Sequence, residues 1–291
     1  MALGVVKDIR RIAAGLKTKE IRGLAAQEIN VGLLAASDSV FGRMVDFLAP
    51  PMLGKEARSR ILQNVRSVDG NTQSYDFILC ELGQRVPYNG YIFKAGTEES
   101  MISRIASDHQ DQELALARKF PRFRATVANR VVARIARENA LFSIVTALPN
   151  VVPNLLELPW AVGEFATDTA FLTANQIRMA FMLAAAHDQP VGYLEQKAQL
   201  AGIVAGAFGW RAIARELVGK IPLGGGLIPK AAVAFAGTYV VGLSLDKVNR
   251  TGRHLSKQER RDAYADAFVT GKQVVRELAP GLNQSDDSAI Q

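Results

Sequence analysis

Ile29-Asn30-Val31-Gly32-Leu33-Leu34-Ala35-Ala36, followed by Ser37-Asp38-Ser39 and then Val40-Phe41-Gly42-Arg43-Met44, is the stretch on which the fold turns. A short apolar run, broken by small polar residues and followed by apolar residues at helical spacing as far as Leu48, reads as strand, loop and helix. Pro50-Pro51 stops that helix, because proline lacks the amide proton and clashes with the preceding turn. Lys55 to Val65 reads as another helix, and Tyr75 to Leu82 and Tyr91 to Lys94 as two more buried strands. Thr97 is placed to cap a helix that carries Glu98 and Glu99 in its first turn, where the helix dipole favours acids. Strands alternating with helices predict a small α/β layer with a mostly parallel sheet over residues 28–110.

The turn after the first strand is where a phosphate-binding loop would sit. A working loop reads G-x-x-x-x-G-K-[ST]: backbone amides cradle phosphate, the lysine reaches the terminal phosphates and the hydroxyl holds magnesium. Here that frame reads Ser37-Asp38-Ser39-Val40-Phe41-Gly42-Arg43-Met44. Gly42 survives, Arg43 keeps a positive charge, Met44 cannot ligate magnesium and Asp38 repels phosphate. Gly42 and Arg43 are therefore weak phosphate candidates, and an ordinary strand-to-helix turn explains the same residues. Nucleotide hydrolysis is not expected here.

Outward from this layer the charge is segregated. The chain has 291 residues and a formal charge of +7. Residues 1–27 place Val5, Ile9, Ile12 and Leu16 against Lys7, Arg10, Arg11, Lys17 and Lys19, an amphipathic basic helix without the apolar core of a secretory signal. Residues 117–140 carry seven basic side chains and one acidic. A long helix is expected from about Phe123 to Ala147, with Arg130, Arg134 and Arg137 forming one stripe at i, i+4 and i+7. A solvated face, a partner for the acidic segment 67–116, or contact with anionic lipid head groups all fit this stripe. Nucleic acid ranks behind them, because no stacking aromatics or binding motif accompany the arginines.

Residues 141–247 carry only fourteen charged side chains, seven of each sign. So long a stretch of low charge is buried in protein or in lipid. Helices are expected at Val162–Ala186, Leu194–Val218 and Ile228–Leu245. A proline-rich turn, Leu148 to Trp160, precedes them, and a glycine-rich loop, Ile221 to Pro229, separates the last two. Gly202-x-x-x-Gly206 permits close helix approach. A membrane span needs about 20 apolar residues. Ala198–Trp210 and Ala231–Leu245 offer thirteen and fifteen, so a buried core, a re-entrant hairpin and a shallowly inserted pair stay open.

Glu164, Asp168, Asn175 and Arg178 fall within the apolar helix 162–186, and buried carboxylates need partners. A structural polar network is the preferred reading, with a metal or acid–base site at Glu164 and Asp168 as the alternative. One cysteine, Cys80, excludes a disulfide framework and a thiolate zinc site. No cofactor is expected. The last helix opens with the capping box Ser256-x-x-Glu259 and runs to about Leu278, before a polar tail from Asn283.

The segment from about Phe120 to Leu245 resembles the YcjF-like domain of unknown function that accompanies bacterial Era-type GTPases. The marks are Ala147-Leu148-Pro149 with Pro153, then Asp168 to Leu172-Thr173-x-Asn175-Gln176-x-x-Met179, then Ile221-Pro222 with Gly224 to Gly226 before an alanine- and glycine-rich helix. The resemblance implies a C-terminal extension of a small GTPase domain or a stand-alone protein that touches the inner membrane, and it carries over no catalytic residues. It makes the frame at Ser37 to Met44 a more credible relic of a GTPase, although no N-K-x-D guanine-reading motif is found.

The expected architecture is therefore mainly α: a basic helix (1–27), a small degenerate Rossmann- or P-loop-like α/β layer (28–110), an apolar antiparallel helical domain (111–247), a capped helix (248–282) and a disordered tail (283–291). The expected function is a non-enzymatic, cytoplasm-facing scaffold or regulator at an anionic membrane surface or on a partner protein such as a GTPase, with oligomerisation open. The alternatives are a soluble nucleotide-responsive pseudo-GTPase switch and an enzyme or metal protein using Glu164 and Asp168.

Overall fold

The computed structural model describes residues 18–68, 70, 72–147, 168–203 and 227–278. Most of the basic helix expected over 1–27, the proline-rich turn, the glycine-rich loop through Gly226 and the tail lie outside the described residues. The protein is mostly helical with a small parallel sheet. Two compact units are found: one comprises residues 18–128 with 184–190, and the other the described residues of 129–183 and from 191 onward.

The first unit is built on four strands, β1 (Val31–Leu34), β2 (Val65–Ser67), β3 (Phe77–Glu81) and β4 (Gly90–Phe93). All pair in parallel in the order β2-β1-β3-β4, with Val31 opposite both Val65 and Phe77, and Ile78 opposite Gly90. Parallel strands are covered on both faces and so read as unbroken apolar runs; Val31, Leu33 and every residue from Phe77 to Cys80 are fully buried. Helix α1 (Thr18–Ala25) precedes β1, while α2 (Asp38–Leu48) and α3 (Lys55–Leu62) join β1 to β2. After β4 come α4 (Glu98–Asp108), α5 (Glu113–Lys119) and a 3-10 turn at Pro121–Phe123. The Phe77 ring is ringed by Tyr91, Phe120 and Phe123, with centroids 6.2–6.3 Å away. Gly32 has no room for a Cβ, which would lie 2.8 Å from Val68 and 2.9 Å from Ile78.

Two local readings are corrected. Val65 does not end a helix; with Arg66 and Ser67 it forms β2, because α3 stops at Leu62 and Asn64 turns the chain into the sheet, its amide donating to Asn30 Oδ1 at 3.1 Å. Thr97 precedes α4 but does not cap it with its side chain; its hydroxyl donates backward to the Lys94 carbonyl at 3.0 Å. The amino ends of the strands are tied by polar groups. Asn30 N donates to Asp76 Oδ2 at 2.7 Å, and Lys119 Nζ donates to the carbonyl of Ile29 and to Asn64 Oδ1.

The second unit is helical. It takes α6 (Arg124–Ala147) from Asn129 onward, α7 (Asp168–Ala186) as far as Leu183, helical residues 197–203, α8 (Leu227–Thr251) and α9 (Lys257–Leu278). Ala136, Ala140 and Ile144 of α6, Ala231 and Phe235 of α8, and Val274 and Val275 of α9 form one buried cluster. Small residues let the axes approach. A Cβ on Gly242 would lie 2.6 Å from both γ-carbons of Val132 and 3.0 Å from Met179 Sδ, so α6, α7 and α8 close together at that point. The Gly252 backbone (φ +70°) terminates α8 in the left-handed conformation glycine accepts without penalty. The capping box ahead of α9 forms as the sequence indicates: Ser256 N donates to Glu259 Oε2 at 2.7 Å and Glu259 N to Ser256 Oγ at 3.2 Å. Lys247 Nζ, 2.6 Å from Glu259, and these cap bonds hold that carboxyl down to about 2.

Lys230–Thr251 is long and apolar enough to cross a membrane by composition, but 61% of its apolar window is buried inside the protein. Within the protein, Ile228, Ala231 and Phe235 of α8 pack with buried residues of α6 and α9.

Candidate functional site

In parallel α/β sheets ligands sit beyond the carboxyl ends of the strands, where the strand order reverses direction. In this sheet the reversal falls between β1 and β3. The loop leaving β1 presents the amides of Ala36 and Ser37, and α2 begins immediately after. Ser37 is the N-cap of α2, its Oγ accepting from Val40 N at 3.3 Å. Glu81, the last residue of β3, reaches across: its Oε2 accepts from Ala36 N at 2.7 Å and from Ser37 N at 3.3 Å. The amides that would hold a ligand phosphate thus hold the protein's own carboxylate. Asp38 adds a second negative charge in the first turn of α2.

Gly42 and Arg43 lie inside α2 rather than in the loop. Gly42 keeps helical hydrogen bonding in place of the open amide arc of a phosphate loop, and Arg43 Nη1 donates to Ser39 Oγ at 3.4 Å along the helix. The phosphate frame therefore comes one helical turn too late. Glu81 was not singled out from the sequence. The signal was an acid closing an otherwise apolar strand, Phe77-Ile78-Leu79-Cys80-Glu81, next to a helix start.

The second polar constellation is buried in the helical unit. Asn139 of α6, fully buried, donates to Thr238 Oγ1 of α8 at 2.7 Å and to the Leu172 carbonyl of α7 at 3.3 Å. Its Oδ1 accepts from Asn175 Nδ2 at 2.8 Å, and Gln176 Nε2 donates to Thr238 Oγ1 at 3.4 Å. One side chain therefore ties three helices. A turn away, Arg178 of α7 pairs with Glu138 of α6, both largely buried. Burial raises the Glu138 carboxyl above its usual range, while Arg178 and Arg134 oppose that rise. Of the four residues read as a polar network, Asn175 and Arg178 enter such contacts; Glu164 and the Asp168 side chain lie outside the described residues. Asn139 and Glu138 were missed, though Asn139 falls on the apolar side of α6 four residues after Ile135 and eight after Val131.

The arginine stripe of α6 is not a free face. Arg137 Nη2 lies 3.4 Å from Glu277 of α9, while Arg130 and Arg134 are half-buried. In the first unit, Arg124 caps the carboxyl end of α5 by donating to the carbonyls of Ala117 (3.2 Å) and Arg118 (3.4 Å). The Cys80 thiol is buried in β3 and pushed up to about 11 by desolvation, the wrong direction for a nucleophile. Among the described residues no three His, Cys, Asp or Glu side chains converge as a metal cluster. No protein-family model, no curated protein and no solved structure matches the chain.

Proposed function

We propose that the protein is a non-enzymatic docking or regulatory protein at the cytoplasmic face of a membrane, similar in organisation to the GTPase-associated YcjF-like proteins. The observation that carries this reading is Glu81, whose carboxylate occupies the amide cradle at the reversal of the sheet. A phosphate entering there has to displace one carboxylate and face another, so the α/β layer is an inherited Rossmann- or P-loop-like scaffold without turnover. Docking then rests on charge: the chain carries +7 overall, and Arg118, Lys119, Arg122 and Arg124 cluster where α5 passes into α6. Cationic side chains near an anionic surface contribute about 1 kcal/mol each. A partner protein with an acidic face would engage the same surface.

Stepwise extraction of membranes from expressing cells tests this. High salt is expected to release the protein. Release only by detergent would mean lipid insertion, and recovery wholly in the soluble fraction would remove the membrane from the account.

The sheet order favours a second reading, a soluble nucleotide-responsive switch, because doubly wound sheets bind nucleotides at such reversals. It requires GTP or ATP to raise the melting temperature of the purified protein; the docking account expects no shift.

A further inference from the structure

A cleft of about 290 Å³ opens in the first unit beside the amino ends of β1 and β2, away from the Glu81 end of the sheet. Four cations line it: Arg60 of α3, Arg118 and Lys119 of α5, and Arg124. Only two carboxylates, Glu28 and Asp188, line it with them. The cations differ in how far they are satisfied. Arg118 Nε is paired with Asp188 Oδ1 at 3.0 Å, and its Nη1 donates to the Ala25 carbonyl at 3.4 Å. Arg124 has backbone carbonyls as its hydrogen-bond partners and no carboxylate within ion-pair distance among the described residues. Arg60 is exposed at the rim and has no ion-pair partner among the described residues. Burial lowers the pKa of both Lys119 and Arg124, the response of cations removed from water without full compensation.

Asp188 is placed for this by the end of α7. Its φ of +56° lies in the left-handed region, and Gln189 N closes the turn onto the Ala184 carbonyl at 2.9 Å. A residue other than glycine here is uncommon, and the outcome is that Asp188 pairs with Arg118 and also favours the charged form of Arg124, while Glu28 does so for Lys119, which leaves two anions among four cations. Leu53 and, on the same helix as Arg60, Ala57 and Ile61 add apolar lining. The cleft therefore combines surplus positive charge with an apolar flank.

We propose that this cleft is a binding site for a phosphate-bearing anion, with Arg60 as its free donor, Arg124 as a cation that meets carbonyls and no paired carboxylate, and Asp188 as a resident competitor for Arg118. Guanidinium groups suit this chemistry, since their planar donors match phosphate oxygens in pairs. A lipid phosphate head group and a free phosphate compound share that chemistry. The inference uses cations on which the docking proposal also rests, so the test separates the two.

Calorimetric titration of the full chain with inorganic phosphate and pyrophosphate reads the site directly. Saturable binding is expected, weakened about fivefold by Arg60→Ala and strengthened about as much by Asp188→Asn, the scale of one exposed charge pair. Asparagine tolerates the left-handed backbone, so Asp188→Asn keeps the turn. Arg43→Ala, on α2, is expected to change nothing. Absence of saturable binding, or binding indifferent to Arg60→Ala and Asp188→Asn, overturns the cleft. Vesicles of phosphatidic acid in phosphatidylcholine then identify the source. Vesicle binding that phosphate competes away and Arg60→Ala weakens assigns the cleft to a lipid head group. Phosphate binding without vesicle binding keeps the cleft, assigns it to a soluble compound and discards membrane docking. Vesicle binding that persists when phosphate binding fails keeps docking and discards the cleft.

Discussion

Replacing Arg178 by methionine is expected to destabilise the helical unit by about 3 kcal/mol at neutral pH, the scale set by stripping one partner from a buried ion pair. The loss arises less from the missing attraction than from Glu138, left in a desolvated position whose carboxyl is already raised by burial. The pH dependence follows from that direction. A carboxyl raised in the folded state binds its proton more tightly there than in the unfolded chain. Its unfavourable contribution is absent below the ordinary glutamate value of about 4.3 and grows as pH rises from there through the folded value. Removing Arg178 enlarges the rise, so the deficit of the variant shrinks as the solution is acidified toward pH 4. Denaturant unfolding at several pH values measures this. Adding Glu138→Gln to Arg178→Met is expected to recover much of the neutral-pH loss, because a neutral amide has no charge to bury. A deficit independent of pH, with no recovery in the double variant, would remove the buried charge as its cause.

Asn139→Ala is the second large effect. The substitution deletes three hydrogen bonds and leaves Asn175, which is only 3% exposed, without its acceptor. An unsatisfied buried group costs about 1–3 kcal/mol, and the cavity adds to it, so a loss of about 3 kcal/mol is expected. Because Asn139 joins α6, α7 and α8, the same substitution is expected to broaden the unfolding transition through loss of register among three helices. Replacing Asn139 and Asn175 together by leucine removes donor and acceptor at once and is expected to cost less than Asn139→Ala alone. If the double leucine variant is the more damaging, the polar node does not act through its hydrogen bonds.

What the sequence disclosed and what it hid divide by distance along the chain. The capping box Ser256–Glu259 was legible because both partners lie within one turn, and the strands at 31–34, 77–81 and 90–93 because four or five apolar residues between turn signals have few alternatives. The strand at 65–67 was hidden: three residues carry no period, and Val65 and Arg66 extend the preceding helix just as well. The polar contacts were hidden for another reason. Glu81 meets Ala36 across 45 positions, Asn139 meets Thr238 across 99, and neither half names the other. A polar residue on an apolar face announces that a partner exists; which partner depends on how the helices cross. The cationic cleft needs α1, α3, α5 and the turn after α7 to converge, and residues 118–124 alone read as a basic surface.

On the docking proposal, α8 belongs to a protein core and any membrane contact is made by charge. Amide hydrogen exchange along Ala231–Leu245 of the purified protein, in buffer and again with anionic vesicles, tests this most directly. Slow exchange in buffer alone, unchanged by vesicles, is the expected result, because α8 is already buried against α6 and α9. Fast exchange in buffer, with protection appearing only when lipid is present, would contradict it and make α8 a membrane-inserted helix.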